Sequence, residues 1–189
     1  MRGPEACVKD APVNPATLAW VGLGANLGDA AFAMRSAAAA LGSLAQTALV
    51  ALSSVYRSAP VESSGADYLN AVALLRTELA APALLAQLQR IEHEHGRERP
   101  YPNAPRTLDL DLLMYGNQRM ARPELTLPHP RAHLRAFVLR PLAELAPELE
   151  LAGRGRVGEL LAQVADQRVE KVSMPGWIAL PWSLSPGSG

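Results

Sequence analysis

Strand, helix, strand, strand, helix, strand, then an α-rich end: this order of elements predicts an α+β chain, a ferredoxin-like βαββαβ sandwich with C-terminal helices and an added strand. Three observations carry it. Tyr68, Asn70, Val72 and Leu74 recur at period two, the spacing of one face of a strand. Leu84, Leu85, Leu88 and Ile91 recur at helical spacing. Arg106 to Leu113 then returns to strict alternation, with Leu108, Leu110 and Leu112 on one face and Asp109 and Asp111 on the other.

Taken in order, Met1 to Ala16 holds three prolines and reads as a flexible extension (1–16) before a single domain (17–173). Thr17 to Leu23 is an apolar strand. Gly24 to Asp29 is a turn, with Asp29 placed to cap a helix over Ala30 to Leu41 that Gly42 ends. One long strand is expected from Thr47 to Arg57, a loop from Ser58 to Gly65, and the period-two strand from Tyr68 to Thr77. Pro82 opens the second helix at its favoured first turn, and Gly96 stops it. An Arg- and Pro-rich loop (97–105) precedes the aspartate strand. Gly116-Asn117 reads as a hairpin turn, and Pro128-His129-Pro130 as a rigid turn into a helical segment ending at Leu145. A short helix over Gly158 to Ala165, a strand over Arg168 to Ser173 and a tail (174–189) follow, with Trp177 and Trp182 able to dock locally. Such a sheet has helices on one face and a more open second face, where a substrate would sit.

Composition removes several function classes. With 49% hydrophobic residues in 189, the chain can build a sizeable core. Lys+Arg 18 balance Asp+Glu 18, which argues against bulk binding to nucleic acid or an anionic membrane. A single cysteine, Cys7, excludes an internal disulfide framework. No apolar run reaches membrane-span length and the N-terminus has no hydrophobic signal core, so a cytoplasmic protein is expected. No Walker motif is present, and Gly22-Leu23-Gly24 lacks the rest of a dinucleotide fingerprint.

Chemistry concentrates around Asp109 and Asp111. Two neighbouring carboxylates repel unless a cation lies between them, and the hard, oxygen-seeking choice is Mg²⁺, which usually arrives with phosphate. Arg97, Arg99 and Arg106 precede them, His129 and Arg135 flank the last turn and helix, and Gln89 and Glu92 lie one helical turn apart. The set fits a polyphosphate with bound magnesium. Taken singly, each group also has a plainer reading: a solvated edge-strand face for the aspartates, solubility for the arginines, a local turn contact for His129, core packing for Tyr68 and Phe137.

Six ordered blocks settle the choice. They are Val21-Gly22-Leu23-Gly24-Ala25-Asn26-Leu27-Gly28, Ser53 through Val61, Asp67-Tyr68-Leu69-Asn70-Ala71, Gln89-Arg90-Ile91-Glu92 with Gly96-Arg97-Glu98-Arg99, Ala104 through Asp111, and Leu127-Pro128-His129-Pro130 through Leu139. In these the chain resembles the 6-hydroxymethyl-7,8-dihydropterin pyrophosphokinases of folate biosynthesis. The resemblance implies transfer of pyrophosphate from ATP to 6-hydroxymethyl-7,8-dihydropterin, with AMP released. It implies two Mg²⁺ ions on Asp109 and Asp111, and phosphate neutralisation by Arg97, Arg99 and Arg106. Gln89, Glu92, Leu112, Thr126, His129 and Arg135 match the ATP side. Tyr68 and Phe137 match the aromatic pair around the pterin, and Asn70, Ser58, Ala59 and Val61 match its polar edge. A monomer with no nucleic-acid or membrane partner is expected.

The chain also departs from the family pattern. Asn103-Ala104-Pro105-Arg106 stands where a Trp-Gly-Pro-Arg is familiar, Pro102 where an arginine is common, and Glu124 where another arginine is expected. Tyr101 is then the aromatic nearest to replace the tryptophan. Two rival readings are a different nucleotide transferase with a paired-aspartate metal site and a non-catalytic binding module. The Tyr68-x-Asn70 pair and Phe137 speak for a flat heterocyclic acceptor, against the first. Paired aspartates beside three arginines speak against the second.

Overall fold

The computed structural model describes residues 15–60, 66–95 and 107–182. Its principal sheet contains β1 (Thr17–Ala25), β2 (Thr47–Leu52), β3 (Val55–Ser58), β4 (Tyr68–Thr77), β5 (Asp109–Tyr115) and, from the far end of the chain, β10 (Val169–Val172). The order across the sheet is β10-β3-β4-β1-β5, with β2 also on β4, and every pairing is antiparallel. α1 (Ala30–Gly42) and α2 (Ala81–Glu94) complete the predicted βαββαβ core. Two short ribbons lie outside the sheet: β6 (Met120–Ala121) with β7 (Thr126–Leu127), and β8 (Glu150–Leu151) with β9 (Gly155–Arg156). A 3₁₀ turn (Ala132–Leu134), α3 (Ala136–Leu145) and α4 (Val157–Gln163) form the C-terminal helical part.

Local chemistry explains the element ends. The Asp29 carboxylate accepts the Phe32 N–H at 2.8 Å and caps α1. α2 starts with Pro82 in its first turn, where the missing N–H costs nothing. It closes at His95, whose backbone N–H reaches the carbonyls of Ile91 and Glu92; Gly96, the expected stop, lies outside the described residues. No helix among the described residues is long and apolar enough to cross a membrane.

Alternation along the strands builds two cores. Ala19, Val21, Leu23, Ala71, Ala73, Leu75, Leu108, Leu110 and Leu112 face α1 and α2. Trp20, Val72, Leu74 and Leu113 face the other way and are covered by α3 and α4. The second face is therefore only partly open: the C-terminal helices close one end of it. Transfer of such side chains from water is the main stabilising term, about 25 cal/mol per Å² of apolar surface.

Two sequence expectations are corrected here. The single strand over Thr47 to Arg57 is two strands, β2 and β3. Leu52 stands opposite Ala73 and Tyr56 opposite Asn70, so one side uses a residue more than the other. The break is held from three sides. Ser53 exchanges backbone bonds with β4, giving its N–H to Val72 O and, through Oγ, accepting the Val72 N–H. Glu144 of α3 accepts the Ser54 N–H and hydroxyl and the Tyr56 phenol, the last at 2.6 Å. Trp177 Nε1 donates to Ser53 O at 2.9 Å. A break that depends on α3 and the C-terminal segment has no local signature. The second correction is Gly116-Asn117. Gln118 N–H closes a turn onto Tyr115 O, and Gly116 has φ +49, but β6 pairs with β7 and not with β5.

Trp182 meets Trp20 edge-on, with centroids 5.5 Å apart, so both C-terminal tryptophans dock on the sheet.

Candidate functional site

The end of the second sheet face that the described helices leave open collects the polar groups. Register alone sets this. Asn70 of β4 stands opposite Gly24 of β1, and Gly24 stands opposite Asp109 of β5. One row over, Val72, Gly22 and Asp111 are aligned in the same way. The two aspartates thus share a face with Asn70 and Tyr68, while Leu108, Leu110 and Leu112 fill the opposite core, as the period-two pattern predicts.

Gly24 makes the floor, whereas the space over Gly22 is taken by the Leu113 side chain, 3.5 Å from where a Cβ would sit. A Cβ at Gly24 would sit 3.7 Å from Asn70 Oδ1 and 3.9 Å from the Asp109 Cβ. Any larger side chain there would fill the space between the amide and the carboxylate. Glycine inside a strand marks a place where something else approaches the backbone: at Gly22 it is Leu113, and at Gly24 it is the space between Asn70 and Asp109.

A kink in β5 separates site from core. Trp20 faces Met114 and Val21 faces Leu112, so Leu113 is an extra residue. The bulge rotates Met114 onto the α3-covered face beside Trp20. Upstream of it the strand is pinned by α2. Glu92 is 3% exposed, and its Oε1 accepts the N–H of Leu110, the residue between the two aspartates, at 2.7 Å. Glu92 therefore acts on the site through the strand. Gln89, one turn earlier on α2, is exposed. Leu112 is buried in the α1–α2 core, which leaves its main chain as the part it can offer a ligand.

His129 approaches from the loop after β7. Its own N–H donates to Leu113 O, fastening the loop to β5. Its Nδ1 accepts the Arg131 N–H at 3.2 Å, which leaves the ring proton on Nε2, 4.0 Å from Asp111 Oδ2. Burial lowers its pKa below the ordinary histidine value, and Arg135 and Arg131 push it the same way, against the pull of Asp111 and Asp109. Both effects favour the neutral imidazole, with its Nε2 turned toward Asp111. Thr126 lies exposed on β7.

The residues expected at the flat heterocycle divide between sheet and helix. Asn70 is buried, and its Nδ2 donates to Ser58 Oγ at 3.1 Å and to the carbonyls of Tyr56 and Tyr68 at 3.3 Å. That fixes the amide orientation. Ser58 pairs with Tyr68 across β3 and β4, and Ala59 follows it, exposed. Phe137, in the first turn of α3, is half-buried against the core that contains Val72 and Leu113. The Arg135 guanidinium lies over its ring, 5.4 Å from the centroid. Val61, Arg97, Arg99 and Arg106, with the loop residues Tyr101, Pro102 and Asn103, lie outside the described residues.

The donor set fits a hard divalent cation. Among the described residues no group of three or more His, Cys, Asp or Glu side chains is gathered to hold a metal. Two carboxylates alone make a poor cage for Ca²⁺ or Zn²⁺. They suit Mg²⁺, which keeps several waters and takes substrate phosphate oxygens as its remaining ligands.

Comparison with known proteins gives a consistent picture. The family model for 7,8-dihydro-6-hydroxymethylpterin-pyrophosphokinase (HPPK) matches residues 20–147. The chain is 42% identical over 156 residues to the 2-amino-4-hydroxy-6-hydroxymethyldihydropteridine pyrophosphokinase of Haemophilus influenzae, covering 82% of this chain and 98% of that protein. It is also 42% identical over 158 residues to the Pseudomonas aeruginosa enzyme of the same name, covering 83% and 96%. Among solved structures it is similar to Plasmodium falciparum HPPK-DHPS, with TM-score 0.65 at 12% identity. That match covers 82% of this chain and 46% of the longer polypeptide, and it speaks to the fold alone.

Proposed function

This chain belongs to the 7,8-dihydro-6-hydroxymethylpterin-pyrophosphokinase family, and from that premise we propose how its own residues carry out pyrophosphate transfer from ATP to 6-hydroxymethyl-7,8-dihydropterin in folate biosynthesis. Asp109 and Asp111 would hold two Mg²⁺ ions, which would supply positive charge at the triphosphate and lower the pKa of the pterin hydroxyl. The hydroxymethyl oxygen forms a bond to the β-phosphorus. The bond from that phosphorus to the α–β bridging oxygen breaks, and AMP leaves with the electron pair. With the hydroxyl so acidified a dedicated general base is not required, and Asp111 is the candidate to take the proton if one acts.

The remaining residues bind and orient. Tyr68 and Phe137 stack on the pterin ring. Asn70 presents its fixed amide to the pterin edge, with Ser58, Ala59 and Val61 beside it. Arg135, which lies over Phe137, must swing away from that face or leave the other for the heterocycle; its charge then serves the nucleotide. Gln89, Glu92, Leu112, Thr126 and His129 line the ATP side, Glu92 through its hold on Leu110. Arg97, Arg99 and Arg106 neutralise charge spreading over the transferred and leaving oxygens. The protein acts as a cytoplasmic monomer with no nucleic-acid or membrane partner.

One observation carries this reading. Register places an amide, a bare glycine and a carboxylate in one row across β4, β1 and β5, so a flat acceptor and a metal-bound phosphate can lie side by side. The test is a coupled assay with ATP, Mg²⁺ and the pterin. AMP formed only when all three are present is the expected result. ADP in its place would mean attack at the γ-phosphorus and would overturn the scheme.

A further inference from the structure

We propose that Gln167, in the link between α4 and β10, is a positioning residue that sets Arg135 and Phe137 for substrate. The idea rests on the substrate roles given to those two residues above. α3 begins without a cap of its own: Arg135, at the N-cap position, has extended backbone (φ −122, ψ 110) and makes no capping bond with its side chain. The cap comes from 31 residues away. Gln167 Oε1 accepts the Ala136 N–H at 2.9 Å, and its Nε2 donates to Leu134 O at 2.9 Å. One amide therefore holds the main chain on both sides of Arg135, and Phe137 follows in the same turn.

Two further features make this grip matter. Pro141 lies inside α3 and has no N–H to give the Phe137 carbonyl, so the helix lacks one of the bonds that would fix its first turn. Gln167 is itself anchored, since its N–H donates to Val164 O at 3.1 Å after the end of α4. The hold thus runs from a packed helix end to a first turn weakened by its own sequence. No charge is involved, so the effect belongs to geometry and not to the local field.

The test compares Gln167→Met and Gln167→Glu, each alone and combined with Phe137→Ala, by steady-state kinetics and thermal melting. Met keeps the volume and loses both bonds. Glu keeps the acceptor for Ala136 and loses the donor to Leu134. Gln167→Met should raise the pterin KM about five- to tenfold, the size of a lost cap, with kcat nearly unchanged. Gln167→Glu should raise it less. In the Phe137→Ala background the Gln167→Met effect should largely vanish, because the ring it positions is gone. A lower Tm with wild-type KM would make Gln167 a structural cap only and overturn the proposal. So would an effect undiminished by Phe137→Ala. If Gln167→Met does not fold, Gln167→Glu decides alone, and a wild-type pterin KM overturns the proposal. A Phe137→Ala enzyme with normal pterin KM would instead overturn the stacking role itself.

Discussion

The two ends of one sheet face are made from opposite materials. Under α3, β1, β4 and β5 present Trp20, Val72, Leu74 and Leu113, all buried. A few residues along the same strands, the same face presents Gly22, Gly24, Asn70, Asp109 and Asp111. The backbone ladder is continuous through both. The first end is filled with apolar volume that excludes water, and the second withholds volume and gathers polar and charged groups. One continuous sheet therefore carries both core and candidate-site floor.

That contrast predicts that substitutions at the two ends separate cleanly. The largest effect belongs to the open end: Asp109→Ala or Asp111→Ala should abolish AMP formation and leave Tm near the wild-type value, measured in the coupled assay and by calorimetry. Near-normal kcat in either variant would break the two-metal assignment. At the covered end, Leu139→Ala removes a side chain of 0% exposure and should cost about 2–5 kcal/mol in denaturant unfolding. Its KM values should stay at wild type in the folded fraction. Gly24→Val should lower kcat/KM about a hundredfold through displaced substrate while denaturant midpoints hardly move; a matching loss of stability would put Gly24 with the core.

The smallest effect lies between the two ends, at Glu144. Burial alone would raise its pKa, but hydrogen bonds from Tyr56 and Ser54, with Lys171 nearby, outweigh that and lower it below the ordinary value of 4.5. A lowered folded-state pKa stabilises fully above the unfolded value and is lost as pH falls through the folded one. Glu144→Gln should therefore reduce Tm by the equivalent of about 1–2 kcal/mol at pH 7, with the gap to wild type narrowing below pH 4.5. A gap independent of pH would mean that the carboxylate's charge has no part in holding the β2–β3 break.

How much of this was legible follows from where each signal lies. The βαββαβ order, the Asp29 cap and the shared face of Asp109 and Asp111 are local, written in spacing of two, three or four residues, and the structure has them. The same holds for Tyr68 with Asn70. The break at Ser53–Ser54 and the bulge at Leu113 were not legible, because a bulge is defined by the partner strand and by what packs on it. Gly116-Asn117 carried a turn signal but not the choice of strand partner. Gln167 is the extreme case: its two bonds reach residues more than thirty positions away, and a glutamine in a link leaves no pattern to read.

The docked C-terminal segment bears on how copies of the enzyme behave toward one another. A bare strand edge is a template onto which another chain can add. Here Leu180 exchanges both backbone bonds with Leu52, on the side of β2 away from β4. β10 covers β3 and becomes the outer strand in its place, and Glu92 occupies an outward N–H of β5. The C-terminal stretch thereby takes up backbone groups of β2 that a further strand would otherwise use.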